Sequence, residues 1–422
     1  MMRKTTIRKL TELSFGLLII AALSACQSPG NAHMVNPTAN NISNGENTLW
    51  DIWEERATSW ALYGASKEQI KQAFQKVEGH DPFRIGPGSW VYELSEVAHK
   101  YDSEGLLFEH AGEIEKAVAA YRKALLFYDI ARFPLLSTEP RRQVYQRMLM
   151  LYEHINKLSG TPVEVVSIPY KNGKIRGYLR LPEGIRKPAL VIYTGGLDTW
   201  KTNFDGVLAE FTNAGFATFT FDMPGTGENE EVLGPDGYQS YSRVVDYFKN
   251  QGELVDGDKI AVYTVSFSGA IGLTLALLDP DVSAVVVRGG GAHHFYVGMP
   301  MAIAPGHIMV SPMQQAILWT LGFREDMHAN PEGAVGRLKS LRELSLVEQG
   351  ILKPTSDQAP ILNINGDQDP LIPLADFHIV RERGVLQDEL LYEGDGHCAP
   401  LNLEDHLPKT INWLKEKLDY RI

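Results

Sequence analysis

The sequence predicts an α/β protein with a mostly parallel sheet, preceded by an all-helical N-terminal domain. Apolar residues recur at helical spacing through residues 47–160, whereas strand-like runs alternate with helical stretches through residues 161–422. A strand hairpin followed by such an alternation is typical of a parallel sheet that helices cover on both faces. The composition agrees, because 44% of the 422 residues are hydrophobic and 22% are charged, as in ordinary globular proteins.

Residues 1–25 have the features of a bacterial lipoprotein signal peptide. A basic segment precedes an apolar run, Phe15 to Leu23, that is shorter than the about 20 residues of a membrane-spanning helix. The run ends in Leu-Ser-Ala-Cys26, which resembles a lipobox, so we expect Cys26 to be lipidated. Gln27 follows instead of aspartate, which favours the outer membrane of the cell envelope, facing the periplasm. Residues 26–46 are rich in Asn, Ser, Pro and Gly and predict a flexible tether.

The helical part and the sheet are distinguished by their periodicity. In EIEKAVAAYRKALLFYDIARFP, Ala117, Tyr121, Ala124 and Tyr128 are spaced as i, i+4, i+7 and i+11, which places them on one helix face. A Ser-Gly-Thr-Pro stretch then ends the helical pattern. The strand-like runs that follow are VEVVSIPY, KIRGYLRL, ALVIYT, FATFTFD, KIAVYTV, SAVVVR, ILNIN and ELLYE.

An apolar strand that runs directly into a serine and then into a helix indicates a catalytic nucleophile. Ser266 ends the run KIAVYTV, and the layout is that of a G-x-S-x-G nucleophile elbow. Thr264 and Ser268 occupy the positions where this motif usually has glycine, and the β-branched Thr264 crowds the turn. Ser268 is the alternative nucleophile. Ser266 is preferred because it stands directly at the end of the strand. In addition, Gly269 and Gly272 then lie on the helix face that packs against the sheet.

Acids and a histidine follow the serine in the chain order that this chemistry requires. The run ILNIN leads into a loop with two acids, Asp367 and Asp369, and the run ELLYE leads into a glycine-rich loop with His397. A histidine in such a loop can reach the serine and act as its general base. A carboxylate would fix the tautomer of the histidine and stabilise the imidazolium.

The same reasoning predicts an oxyanion hole made of backbone N–H groups. One donor is expected from Phe267, which follows the nucleophile. The other is expected from the Gly-Gly loop after ALVIYT, because glycines let the backbone approach a substrate closely. Leu197 is the preferred second donor and Gly196 is the next choice.

Residues 289–358 form a long segment between two sheet strands, which is typical of a lid or a functional insert. Helices are predicted near 311–323 and 337–347. His293 and His294 follow the run SAVVVR at the carboxyl edge of the sheet, where ligands bind, so both are candidates for substrate contact. No third ligand accompanies them at metal spacing, and no dinucleotide or phosphate-binding fingerprint occurs, so neither a metal nor a cofactor is predicted. The net charge of −12 argues against nucleic acid as a partner.

Several motifs together resemble the α/β-hydrolase family that includes the FrsA-like esterases and 2,6-dihydropseudooxynicotine hydrolase. They are the helical N-terminal part, GGLDTWK, FDMPGTGE, the Ser266 elbow, GDQDPLIP and DGHCAP. The resemblance implies a serine hydrolase whose helical domain caps the active site. It implies a small-molecule substrate, either an ester or a carbon–carbon bond next to a ketone. It also selects Asp369, the second acid of its loop, as the partner of His397, with Asp367 as the alternative that shapes the turn.

Two other functions are alternatives to a hydrolase of small molecules. A peptidase of the prolyl-oligopeptidase type would use the same residues, but the chain lacks the length for a β-propeller. A non-catalytic binding lipoprotein would use the helical domain for protein contacts. The set Ser266, Asp369 and His397 argues against this last function.

Replacing Cys26 by serine should abolish lipidation and leave the protein either uncleaved or soluble in the periplasm, because only a cysteine at this position can carry the lipid. Membrane fractionation and the mass of the N-terminal peptide measure the outcome. An unchanged membrane fraction in the variant, together with no lipid mass on the wild type, would contradict the prediction.

Overall fold

The computed structural model describes residues 48–420, with the exception of residues 63, 80, 82, 162, 303–311, 327 and 328. The predictions for the signal peptide, the tether and Cys26 therefore lie outside the described residues. The described residues up to Val163 form one compact unit, and almost all of those from Glu164 onwards form a second.

The described part of the first unit is built from α-helices. Two of them begin at serines whose hydroxyl groups accept backbone hydrogen bonds, Ser66 from Gln69 and Ser89 from Tyr92, as N-cap residues do. In the described part of the chain, no helix has both the length and the apolar character to cross a membrane. The helices are α1 Leu49–Leu62, α2 Lys67–Phe74, α3 Trp90–His110, α4 Ile114–Arg132 and α5 Glu139–Leu158.

Helices α3, α4 and α5 are joined by a cluster of a tyrosine, a carboxylate and a basic side chain. The carboxylate of Asp102 on α3 accepts a hydrogen bond of 2.8 Å from the Tyr128 hydroxyl on α4. It also accepts bonds of 2.8 and 2.6 Å from Nε and Nη2 of Arg147 on α5. Only 12% of the Asp102 side chain is exposed, so these bonds are formed with little competition from water.

A second cluster of the same kind joins the same helices. Glu109 accepts a hydrogen bond of 2.7 Å from the Tyr121 hydroxyl, and its Oε2 lies 2.8 Å from Nε2 of His154. Each member stands seven positions from its counterpart in the first cluster, which is two helical turns. The small-and-aromatic face predicted for α4 is thus buried, and its tyrosines also tie the three helices together through their hydroxyl groups.

The second unit contains one eight-stranded sheet in the order β1-β2-β4-β3-β5-β6-β7-β8. The pairs β1–β2 and β2–β4 are antiparallel and the other pairs are parallel, which confirms the predicted mostly parallel sheet. Strands β3 to β7 are buried along their whole length, as their apolar runs indicate. The strands are β1 Glu164–Tyr170, β2 Gly173–Arg180, β3 Leu190–Thr194, β4 Ala217–Phe221, β5 Ile260–Val265, β6 Ala284–Arg288, β7 Ile361–Gly366 and β8 Asp388–Tyr392.

Helices connect the parallel strands. The second helix predicted for the long segment after β6 was placed too late in the sequence: it spans Pro331–Lys339 and continues as a 3₁₀ turn, Ser340–Leu344. The start signal is Asn330, whose side chain accepts a bond of 2.9 Å from the Gly333 N–H and which is followed by proline. The helices are α6 Asp205–Asn213, α7 Tyr238–Lys249, α8 Gly269–Leu278, α9 His294–Ala302, α10 Pro312–Thr320, α11 Pro331–Lys339, α12 Leu374–Glu382 and α13 Leu403–Lys417.

The topology brings four loops to one edge of the sheet. Strands β3, β5, β7 and β8 run parallel, so their carboxyl ends lie on the same side. The loops that follow them contain the Gly-Gly motif, Ser266, the two acids and His397. Residues far apart in sequence can therefore meet at this edge.

Replacing Asp102 by asparagine should lower the free energy of unfolding by about 2 kcal/mol, because the Tyr128 hydroxyl and the Arg147 guanidinium lose a charged acceptor. Urea unfolding followed by circular dichroism measures the change. The control is Glu115→Gln at an exposed site of α4, which should change stability by less than about 0.5 kcal/mol. Equal stability of the two variants would show that the cluster does not hold the helices together.

Candidate active site

Ser266 stands at a sharp turn between β5 and α8. Its φ angle is +60°, in the left-handed region that residues other than glycine rarely adopt. Such a backbone costs about 1–3 kcal/mol and persists where the surrounding structure fixes it. The conformation lifts the side chain out of the strand, which is the geometry of a nucleophile elbow.

Ser268 has a different environment, although it lies only two residues further on. Its side chain is fully buried. The hydroxyl donates a hydrogen bond of 3.0 Å to the Val265 carbonyl and accepts one of 3.1 Å from the Val265 N–H. Ser268 therefore closes the turn that carries Ser266.

The crowding expected at Thr264 is relieved from the opposite side of the turn. A Cβ atom at Gly272 of α8 would overlap the Thr264 hydroxyl, so the space of the threonine side chain is provided by a glycine in the helix. Gly269, at the start of α8, approaches Gly290 in the same way, because a Cβ on Gly290 would lie 2.7 Å from the Gly269 Cα. The two glycines thus let the helix approach β5 and the loop after β6 closely.

His397 lies between Ser266 and Asp369. Its Nε2 is 2.8 Å from the Ser266 Oγ, and its Nδ1 is 2.8 Å from the Asp369 Oδ2. A carboxylate can only accept, so in the neutral form of His397 Nδ1 carries the proton and Nε2 accepts from the serine hydroxyl. The side chains are largely withdrawn from water, with 10% of His397 and 1% of Asp369 exposed.

The two acids of the loop after β7 make different contacts. Asp369 accepts backbone hydrogen bonds of 2.7 and 3.0 Å from Leu371 and Ile372 with the oxygen that does not contact His397. Asp367 instead accepts a bond of 2.8 Å from the Gly394 N–H, which joins the acid loop to the loop after β8. The structure therefore brings Asp369, and not Asp367, to the histidine.

The pKa values of the pair move in opposite directions. Burial alone would raise the pKa of Asp369, but the charge of His397 and its hydrogen bond lower it. Burial alone would lower the pKa of His397, but the electrostatic effects of Cys398 and Asp369, together with the hydrogen bond to Asp369, outweigh burial and hold the pKa well above its usual value of 6.5. The charged form of the histidine is therefore stabilised by its partners.

The loop after β3 faces the serine. A Cβ on Gly196 would lie 2.9 Å from the Ser266 Cβ and 3.1 Å from both the Ser266 Oγ and the Phe267 nitrogen. Any larger residue would thus fill the space in front of the serine. The Gly196 N–H is directed at Thr199 Oγ1, 3.5 Å away, whereas the Leu197 N–H has no acceptor among the described residues.

Side chains of the GGLDTWK motif hold the loop after β3 in place. The Trp200 indole N–H donates a bond of 3.0 Å to the Leu197 carbonyl. Lys201 is fully buried, and its ammonium group pairs with Asp222 and, at 2.9 Å, with Glu228. The motif is therefore tied to FDMPGTGE, the loop after β4, by a buried ion pair that holds the Gly-Gly turn in place.

His293 and His294 lie at the carboxyl edge as predicted, but their contacts are with another part of the unit. The His293 Nδ1 is 2.7 Å from the Ser345 Oγ, and burial followed by the charge of His294 lowers the pKa of His293. Among the described residues, neither ring bonds to the serine, the acid or His397. Their contact with substrate stays a prediction. The described residues also include no group of three or more His, Cys, Asp or Glu side chains that could hold a metal ion.

Asp376 on α12 has a structural role that was not predicted from the sequence. Its carboxylate is fully buried and accepts hydrogen bonds from four successive backbone N–H groups, Ala292 to Phe295, at the start of α9. It caps that helix from a distant element, which a carboxylate does well. The signal was an aspartate at the start of an amphipathic helix, but its partner is more than 80 residues away.

Two further polar residues that the sequence analysis missed order the histidine loop. Asp395 is fully buried and accepts bonds of 2.8 Å from the Gly396 N–H and from the Asn402 side chain. Asn365, in β7, donates a bond of 2.8 Å to Asp369 Oδ2 and accepts one of 2.9 Å from the Cys398 N–H. Both could have been noticed as polar residues within or beside apolar strands.

The sheet, its order and the serine at its elbow define the α/β-hydrolase class. The profile of the family described as "Esterase FrsA-like" matches residues 79–419. The chain belongs to this family, and it is a hydrolase.

Individual proteins agree with this assignment. The chain is 25% identical over 341 residues to the Esterase FrsA of Photobacterium profundum, which covers 79% of this chain and 77% of the relative. It is 24% identical over 339 residues to the Esterase FrsA of Escherichia coli O157:H7, covering 78% and 77% of the two chains. The solved structure of 2,6-dihydroxy-pseudo-oxynicotine hydrolase is similar, with a TM-score of 0.65 and 22% identity, over 84% of this chain and 93% of that one. AbyA5 shares the fold too, with a TM-score of 0.60 and 22% identity, over 84% and 94%.

Replacing Gly272 by alanine should lower the free energy of unfolding by about 1–3 kcal/mol, because the new methyl group meets Thr264. Adding Thr264→Ala should restore much of this loss, since the atoms that clash are removed. Thermal unfolding of the single and double variants measures the coupling. Gly336→Ala in α11 is the control, because a Cβ there meets no atom within 4 Å. Additive effects of the two changes would show that the two positions do not share one space.

Proposed function

We propose that the protein is a serine esterase that hydrolyses a small-molecule carboxylic ester with Ser266, His397 and Asp369 as its catalytic triad. The observation that carries the proposal is the unbroken chain of hydrogen bonds from the Ser266 Oγ through His397 to Asp369, each 2.8 Å long. Membership of a family of esterases supports the ester as the bond that is cleaved.

In the first half of the reaction, His397 acts as a base and then as an acid. Its Nε2 takes the proton of the Ser266 hydroxyl while Oγ attacks the ester carbonyl carbon. The imidazolium that forms is stabilised by the Asp369 carboxylate through Nδ1. It then gives its proton to the alkoxide oxygen of the substrate, so that the alcohol leaves and an acyl-serine remains.

In the second half, water takes the place of the alcohol. His397 removes one proton from the water as its oxygen attacks the acyl carbon, and the proton returns to the Ser266 Oγ as the acid leaves. The substrate is thereby split into an alcohol and a carboxylic acid, and the enzyme regains its starting form.

The oxyanion of each tetrahedral intermediate would be bound by the N–H groups of Phe267 and Leu197. Two observations support this choice. The space beside the Phe267 nitrogen and the Ser266 Oγ is kept open by Gly196, and the Leu197 N–H has no other acceptor in the described part of the chain. Fixed backbone donors of this kind stabilise developing charge without reorganising.

The cap and the location of the enzyme belong to the same proposal. The helical unit would limit access to the site, as the family resemblance implies. A lipid on Cys26 would hold the enzyme at the outer membrane, facing the periplasm, as the Leu-Ser-Ala-Cys26 sequence after a basic and apolar leader indicates. Cleavage of a carbon–carbon bond next to a ketone stays a prediction.

Labelling with a fluorophosphonate probe and steady-state kinetics on nitrophenyl esters test the triad. Ser266→Ala should abolish labelling, and Ser268→Ala should retain it. Ser266→Ala and His397→Ala should each lower kcat by about a thousandfold or more, and the double variant should lose little beyond either single one. Asp369→Asn should be less damaging, and Asp367→Asn milder still.

The pH dependence follows from the raised pKa of His397. The base must be neutral to accept a proton, so kcat/KM should fall as the pH falls through a pKa above 6.5.

Two outcomes would contradict the assignment of the triad. Labelling of Ser266→Ala but not of Ser268→Ala would place the nucleophile two residues later. An Asp367→Asn variant that is more damaging than Asp369→Asn would assign the acid to the first position of the loop.

A further inference from the structure

We propose that Asn365 is a positioning residue that sets the orientation and the basicity of His397 by holding both Asp369 and the histidine loop. The proposal rests on the triad proposed above. Asn365 is the penultimate residue of β7, and only 2% of it is exposed. Among the described residues, no hydrogen bond joins it to the serine or to the histidine ring, so its polar contacts act on the reaction through its two partners.

The first contact is with the acid. Asn365 Nδ2 donates a bond of 2.8 Å to Asp369 Oδ2, the same oxygen that accepts from His397 Nδ1 at 2.8 Å. The two donors share this oxygen and the other oxygen is held by backbone N–H groups, so the plane of the carboxylate is fixed. This donation also contributes to the lowered pKa of Asp369, after the effects of burial and of His397.

The second contact is with the residue that follows the base. Asn365 Oδ1 accepts a bond of 2.9 Å from the Cys398 N–H. Cys398 and Ala399 have φ angles of +69° and +47°, so the backbone just after His397 is held in the left-handed region twice in succession. Such a segment keeps its shape only where its polar groups are bound, and Asn365 binds one of them.

A carboxamide is suited to this position because it has a donor and an acceptor on one planar group. An aspartate would place a second negative charge against Asp369. An apolar residue would leave a buried carboxylate oxygen and a buried N–H each short of a partner. A single side chain in the strand before the acid therefore connects the acid and the base, which lie on different loops.

The expected effect on the base has a definite sign. The Asn365 N–H partly neutralises the negative charge on Asp369 Oδ2. Without this donor, the carboxylate attracts the His397 Nδ1 proton more strongly. The pKa of His397 should then rise further, and the neutral form that accepts the serine proton becomes scarcer at a given pH. Looser placement of the loop should lower kcat as well.

The test compares Asn365→Leu and Asn365→Asp with a matched control in the same strand. The control is Asn363→Leu, two residues earlier, which is equally buried and donates at 3.4 Å to the Phe377 carbonyl. It has the same residue type and lies in the same strand, but among the described residues no hydrogen bond joins it to the triad. Asn365→Asp keeps an acceptor for the Cys398 N–H but replaces the donor to Asp369 by a second negative charge, so it disturbs the contact with the acid and spares the contact with the histidine loop.

For Asn365→Leu we expect kcat to fall about 10- to 100-fold, KM to stay within about twofold, and the acid limb of the kcat/KM profile to move upward by about half a pH unit or more. Asn365→Asp should move the limb in the same direction with a smaller loss of kcat. Asn363→Leu should leave the acid limb of the kcat/KM profile at the same pH as in the wild type, even if it lowers stability. The NMR resonance of the His397 Nδ1 proton should shift in the Asn365 variants and not in the control.

Several outcomes would overturn the proposal. One is an Asn365→Leu variant with the pH limb and Nδ1 resonance of the wild type. Another is an Asn363→Leu variant that moves both by the same amount, which would indicate a general effect of disturbing β7. If Asn365→Leu does not fold, Asn365→Asp supplies the same two readouts. Failure of the triad has a different signature, because Ser266→Ala and His397→Ala would then keep their activity and their fluorophosphonate labelling.

Discussion

The left-handed backbone at Ser266 is the constraint on which the rest of the site depends. A serine at φ +60° is held in place by what surrounds it, since the conformation is unfavourable in isolation. Strand β5 is paired on both sides, the Ser268 hydroxyl closes the turn with two bonds to Val265, and α8 is buried along nearly its whole length. The close approach of Gly269 and Gly272 lets the helix begin directly after the turn. The turn thus depends on packing in the core of the unit.

Burial of charge imposes a second requirement. Asp369 is almost fully withdrawn from water, and a carboxylate in that environment must be well supplied with donors. It has four: two backbone N–H groups, the Asn365 amide and His397. Because the acid and the base lie on loops after adjacent strands, the register of β7 and β8 fixes the distance between the loops, and Asp367 and Asn365 join them directly. The polar network is therefore continuous with the sheet, and the strand pairing positions it.

The sequence predicted most of the fold, because the central strands are uninterrupted apolar runs that no other element explains. It also singled out Ser266 and His397, since each follows a strand and their order along the chain is characteristic. The choice of Asp369 over Asp367 came from the family resemblance, and the structure brings Asp369 to the histidine. What it missed depends on contacts between distant positions. Asp376 caps a helix more than 80 residues away, and Asn365 and Cys398 meet only because β7 and the loop after β8 are neighbours. The helix after Asn330 begins earlier than predicted for a local reason, since Asn330 caps it and Pro331 is its first residue.

Thr264 shows most clearly why a motif compared residue by residue can mislead. A nucleophile elbow needs a small volume between the end of the strand and the first turns of the helix, so that the two can approach closely. The usual motif meets this need with a glycine two residues before the serine. Here the strand carries threonine, which is fully buried and bonds at 3.3 Å to the Val286 carbonyl, and the helix supplies the missing volume through Gly272. The small volume is required of the residues at positions 264 and 272 together, and not of either one alone. Thr264 therefore departs from the motif while preserving the packing that the motif exists to provide, and the strained backbone of Ser266 is retained.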